Sequence, residues 1–130
     1  MKMDLKEYFE STEGFGVLST ADENGKVNAA VYTKPQVIED SRVAFIMGDK
    51  LTHANTQKNS HAVFLFREEV PGYQGKRLYL TKESETDDQD LIKKICVSEY
   101  PSVFCEPHYL DNAFLVTFSV QMVLPLVGTK

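Results

Sequence analysis

Apolar positions fall into short runs separated by polar turns, and their spacing assigns most elements. Leu5, Tyr8 and Phe9 recur at i, i+3 and i+4, which predicts a short helix over Asp4–Thr12. Gly14 and Gly16 end it, and Phe15–Ala21 then reads as a strand. Asp22-Glu-Asn-Gly25 carries the Asn-Gly hairpin signal into a second strand from Lys26 to about Lys34, closed by Pro35. After a turn at Glu39-Asp40-Ser41, Arg42–Met47 forms the third strand. Leu51–Asn59 is polar and reads as a short helix with Thr52 near its start.

His61–Arg67 is a nearly continuous apolar strand with the pattern of a central one. In Lys76–Lys82, Leu78 and Leu80 alternate with Arg77, Tyr79 and Thr81, as in a strand with one buried face. The acidic stretch Glu83, Glu85, Asp87, Asp88 and Asp90 then leads into the helical pattern Leu91, Ile92, Ile95. Thr86 and Gln89 have the spacing of a capping box. Pro101 and Pro107 mark an irregular segment, and Ala113–Leu124 is a long strand. It carries Phe114, Val116, Phe118, Val120 and Met122 on one face, with Leu115 and Val123 on the other. The expectation is a mainly β fold with peripheral helices: six antiparallel strands in a small barrel.

The length of 130 residues fits a single domain over 1–130. With 19 Asp and Glu against 14 Lys and Arg the chain is acidic, which disfavours general nucleic-acid binding. No apolar run reaches a membrane span, and Met1–Lys6 lacks a secretory signal. A cytoplasmic location is expected. Cys96 and Cys105 have no C-x-x-C spacing, which reads as two ordinary thiols and no metal site.

The charge is unevenly spread. Between Asn24 and Arg67 six bases face three acids, and from Lys50 through Arg67 there is no acid. Thr52, His53 and Asn55 add donors at a helix start, a combination that suits a phosphate and also occurs at many surface helices. No catalytic residue is assigned. His53, His61 and His108 lack chelating spacing, Gly72–Lys76 lacks a P-loop's length and hydroxyl, and G-x-S-x-G is absent.

The ordered series Gly-Phe-Gly-Val-Leu-Ser-Thr-Ala-Asp-Glu-Asn-Gly-Lys-Val-Asn from Gly14, Arg-Val-Ala-Phe-Ile-Met-Gly from Arg42 and Thr-His-Ala-Asn-Thr-Gln-Lys-Asn from Thr52, followed by His61–Phe66, resembles the pyridoxamine 5′-phosphate oxidase-like family of FMN-binding split barrels. The resemblance implies FMN along the second and third strands, with its phosphate on the following helix. By position, Ala30, Val31, Tyr32, Ile46, Met47 and Gly48 would line the flavin. Lys50, Thr52, His53 and Asn55 would surround its phosphate or ribityl chain. It also implies a homodimer with FMN at the subunit interface, and a reduced nicotinamide or other small redox donor.

Two departures argue against vitamin B6 oxidation. Ala30 stands where such oxidases carry arginine, and the C-terminal Arg-Leu-containing segment that they use for substrate is missing from the end Leu124-Pro-Leu-Val-Gly-Thr-Lys130. The expectation is an FMN-dependent oxidoreductase. The alternatives are a non-catalytic FMN electron carrier or store, and a flavin-free barrel acting as an interaction module.

Overall fold

The computed structural model describes residues 4–39, 41–101, 105–106, 110 and 112–128. Helix α1 (Leu5–Ser11) begins at Asp4, whose carboxylate accepts the Glu7 amide. Strands β1 (Gly14–Ala21) and β2 (Val27–Tyr32) form the expected hairpin. In its turn, Asp22 Oδ1 accepts the amides of Asn24 and Lys26. Then come β3 (Gln36–Glu39), β4 (Arg42–Met47), α2 (Leu51–Lys58), β5 (His61–Glu68), β6 (Gly75–Thr86), α3 (Gln89–Glu99) and β7 (Phe114–Pro125). His108 and most of the segment beyond Pro101 lie outside the described residues.

All seven strands join one antiparallel sheet in the order β2-β1-β5-β6-β7-β4-β3. The sheet curls until distant strands touch across its interior. Phe45 on β4 meets Phe64 on β5 at 5.0 Å between ring centroids, and Tyr32 on β2 meets Phe45 at 5.8 Å. No ladder joins the edges β2 and β3 among the described residues, so the barrel-like sheet stays unclosed.

Leu18, Phe45, Phe64, Phe66, Leu78 and Phe118 fill the interior, and Leu5 and Phe9 of α1 pack into the same core. Each such buried side chain contributes roughly 1.5–3 kcal/mol before entropy is charged against it. A second cluster, with Ile92 of α3 against Ala44 and Leu115, attaches α3 to the other face of β4 and β7.

The structure corrects the expected barrel in three places. The described residues form seven strands, not six. Gln36–Glu39 is only four residues long and follows Pro35, too short for its alternation to register. Strand β6 runs on to Thr86, because Ser84, Glu85 and Thr86 pair with Thr117, Val116 and Leu115 of β7. The Thr86–Gln89 capping box therefore does not form. Asp88 caps α3 by accepting the Leu91 amide, while the Gln89 amide reaches the Ala113 carbonyl. Finally, the pairing of β6 and β7 shifts between Leu80↔Val120 and Tyr79↔Met122, leaving Gln121 as an extra residue. The bulge exchanges the faces beyond it, so Val123 packs on the core and Met122 is exposed.

Candidate functional site

Where the ends of β2 and β4 approach each other, they leave a cavity of about 470 Å³. Ala30, Val31 and Tyr32 form one wall, and Ile46, Met47 and Gly48 form another. Strand β2 has a ladder partner on one side only, so its outer edge keeps backbone donors and acceptors facing outward. Lys50 and Thr52, at the start of α2, close one end. Among the described residues no side chain caps α2, and its first-turn amides have no intrahelical acceptor. Thr33, Phe45, Cys96, Tyr100 and Leu110 complete the lining.

Thus Ala30, Val31, Tyr32, Ile46, Met47, Gly48, Lys50 and Thr52 come together around one space. His53 and Asn55 do not line it. The His53 ring lies on Phe114, with Nδ1 3.1 Å from Asp49 Oδ1 and Nε2 3.2 Å from both carboxylate oxygens of Glu85. Asn55 is buried and donates to Thr20 Oγ1 at 3.1 Å, which fastens α2 to β1. A helix advances about 100° per residue, so neighbours of Thr52 face other elements.

Of the other lining residues, Cys96 reads from the sequence only as an ordinary thiol. Tyr100 and Leu110 carried no local signal.

The cations sort themselves as well. Lys34 pairs with Glu13 at 2.8 Å and donates to the carbonyls of Phe9 and Thr12. Arg42 pairs with Glu83 and Glu39. Lys50 lines the cavity and has no ion-pair partner among the described residues.

Burial raises the Tyr32 phenol against an opposing hydrogen bond with Thr52. Burial, reinforced by Glu99 and opposed by Thr33, pushes Tyr100 up to about 12. Tyr100 donates to the Lys34 carbonyl at 2.9 Å. Both phenols are therefore neutral at physiological pH and serve as neutral hydrogen-bonding groups. An adjoining cavity of about 460 Å³, bordered by Glu10, Glu13 and Glu99, shares Thr33 and Tyr100 with the first.

Cys96 and Cys105 form a disulfide, which corrects the expectation of two ordinary thiols. Their positions bring the Cα atoms to 5.7 Å, within bridging range and invisible to a motif search based on C-x-x-C. No cluster of three or more His, Cys, Asp or Glu side chains suited to a metal occurs among the described residues. No helix among them is long and apolar enough to cross a membrane.

Solved structures with the same architecture span nearly the whole chain. A single-residue variant of HupZ from Group A Streptococcus is 16% identical with a TM-score of 0.71, covering 97% of this chain and 100% of that one. An FMN-binding protein from Syntrophomonas wolfei is 23% identical with a TM-score of 0.69, covering 96% and 85%. A Clostridium acetobutylicum protein of the pyridoxinephosphate oxidase family, related to general stress protein 26, is 14% identical with a TM-score of 0.69, covering 95% and 87%. No protein-family model and no curated protein sequence matches the chain. At these identities the likeness establishes the fold.

Proposed function

We propose that this chain, which has the fold of the pyridoxamine 5′-phosphate oxidase-like proteins, binds FMN and is a flavin-dependent oxidoreductase outside vitamin B6 oxidation. The observation that carries this reading is the convergence of the β2 edge, the end of β4 and the start of α2 on one cavity. Its volume of about 470 Å³ lies within the range of cofactor sites. The fold is shared with an FMN-binding protein, which supports the choice of ligand.

The residues present fit the group. Ala30, Val31, Ile46 and Met47 offer apolar walls to a planar ring, and the open edge of β2 offers hydrogen bonds to its polar rim. Gly48 has no side chain to keep a ring off the backbone; a Cβ there would meet only Lys50 Cγ, at 3.7 Å. Lys50, the Thr52 hydroxyl and the free amides of α2 suit a phosphate. His53 and Asn55 act indirectly, by fixing α2 against Phe114 and Thr20. Ala30 supplies no guanidinium to this wall, which keeps the reading away from vitamin B6 oxidases. FMN, when bound, would supply two-electron redox chemistry, with protein groups setting its position and electrostatics.

A homodimer forms part of the proposal. Val31 is 66% exposed although it lines the cavity, and Val27 and Met122 are also exposed. A second copy over this surface would complete the site, which a light-scattering mass twice that of the chain would support.

One observation favours the alternative of an FMN carrier or store. Among the described residues, the titratable lining groups are Lys50, two neutral phenols and a disulfide-bonded cysteine, a poor set for acid–base catalysis. Flavin-dependent consumption of NADH or NADPH by the purified protein decides for the oxidoreductase. FMN binding without turnover of either nicotinamide decides for the carrier.

A further inference from the structure

Cys96 and Cys105 are the two cysteines of the sequence, and they differ sharply in setting. Cys96, on α3, is 2% exposed and lines the cavity wall. Cys105 is partly exposed. The bond between them ties together two chain positions that each hold a further wall residue. On one side, the Tyr100 amide donates to the Cys96 carbonyl at 2.9 Å. On the other, the Leu110 amide donates to the Glu106 carbonyl, one residue past Cys105. Tyr100 and Leu110 both face the cavity.

We propose that Cys96–Cys105 is a thiol–disulfide exchange site in the wall of the ligand cavity, that its co-substrate is a small thiol or a protein dithiol, and that its oxidised state binds the flavin more tightly. The last clause rests on the FMN reading; the exchange site itself does not. An incoming thiolate attacks Cys105 Sγ, the accessible sulfur, because Cys96 is enclosed. The bond between the cysteines breaks as the mixed disulfide forms, and Cys96 leaves as a thiolate that takes up a proton. A second external thiolate attacks the incoming sulfur of the mixed disulfide, and Cys105 leaves and is protonated. Two external thiols are oxidised to one disulfide while the protein disulfide is reduced to two thiols. Reduction unlinks the wall segments that carry Tyr100 and Leu110, so the cavity loses preorganisation.

The full chain, purified without reductant, is equilibrated in glutathione redox buffers, alkylated and weighed. The expected result is conversion between a disulfide and two alkylated thiols. Under oxidised glutathione, Cys96→Ser gains a glutathione adduct on Cys105, whereas Cys105→Ser leaves the enclosed Cys96 unmodified. Two free thiols in wild type under oxidised glutathione, or faster modification of Cys96 than of Cys105, overturns the exchange site.

FMN titration of the oxidised and reduced forms is expected to differ roughly tenfold in Kd, with FMN shifting the glutathione midpoint by the same factor. Equal Kd values overturn the coupling. Failure of both forms to bind FMN refutes the functional reading instead, and the coupling with it, while the alkylation result still decides the exchange site.

Discussion

The His53 imidazole lies flat against the Phe114 ring, with centroids 3.9 Å apart and planes inclined by 11°. The contact joins α2 to β7, while Asp49 and Glu85 hold the two ring nitrogens. The start of α2 is thereby fixed beside the cavity although His53 itself does not reach it. His53→Ala is expected to lower unfolding stability by about 2 kcal/mol, within the range for a buried network that loses a member. Chemical denaturation measures this directly.

Thr52 and His53 are adjacent in sequence, but only Thr52 lines the cavity. Thr52→Ala removes a hydroxyl at the cavity end, and is expected to weaken FMN binding roughly tenfold, about the value of one hydrogen bond to a charged group. Thr52 is buried and its hydroxyl accepts from Asn28 Nδ2 at 3.5 Å, so the variant's melting temperature is expected to fall, but by less than in His53→Ala. An affinity loss in His53→Ala equal to that in Thr52→Ala, with stability unchanged, would mean that the phosphate lies near the imidazole.

Glu85 makes the same network sensitive to acid. Desolvation raises its carboxyl, but hydrogen bonds from Lys82, Gln57 and His53 outweigh that and hold it at about 2, from an ordinary 4.5. A lowered carboxyl contributes stability above its unfolded value and loses it as pH falls toward the folded one. Wild-type stability should therefore decline between about pH 4.5 and pH 2. The decline should be shallower in Glu85→Gln, as read by melting temperature against pH.

Gly16 sits opposite Tyr32 in the β1–β2 ladder. A Cβ there would fall 2.5 Å from the Phe64 ring and 2.7 Å from the Tyr32 carbonyl oxygen. Gly16→Ala is expected to cost about 1–3 kcal/mol through overpacking. Because Tyr32 belongs to the cavity wall, the substitution should also weaken FMN binding, whereas Gly25→Ala, in an open turn, should leave affinity unchanged.

The disulfide closes a short loop, and its reduction is expected to destabilise the fold by about 2–3 kcal/mol. Melting with and without reductant measures the effect, and Cys96→Ser should abolish the difference.

These expectations also mark what the sequence made legible. Alternation and turn residues placed every strand except β3, whose four residues pack little. The polar end of β6 resembled a helix start because pairing with β7, rather than hydrophobicity, holds it extended. For the site, the family resemblance carried over by position pointed to walls that are continuous in sequence, Ala30–Tyr32 and Ile46–Gly48, and the donors of the α2 start pointed to Lys50 and Thr52. Cys96, Tyr100 and Leu110 arrive from the other side through tertiary packing, which no local spacing encodes. His53 and Asn55 share a helix turn with Thr52 but project toward different strands.

The central claim is that the cavity between β2, β4 and α2 holds FMN. Titrating flavin-free protein with FMN, and following flavin fluorescence beside the visible spectrum, tests it most directly. Saturable, equimolar uptake that is weakened by Thr52→Ala without loss of folding is the predicted result. Folded, colourless protein that leaves the FMN spectrum and fluorescence unchanged at saturating concentration would contradict it.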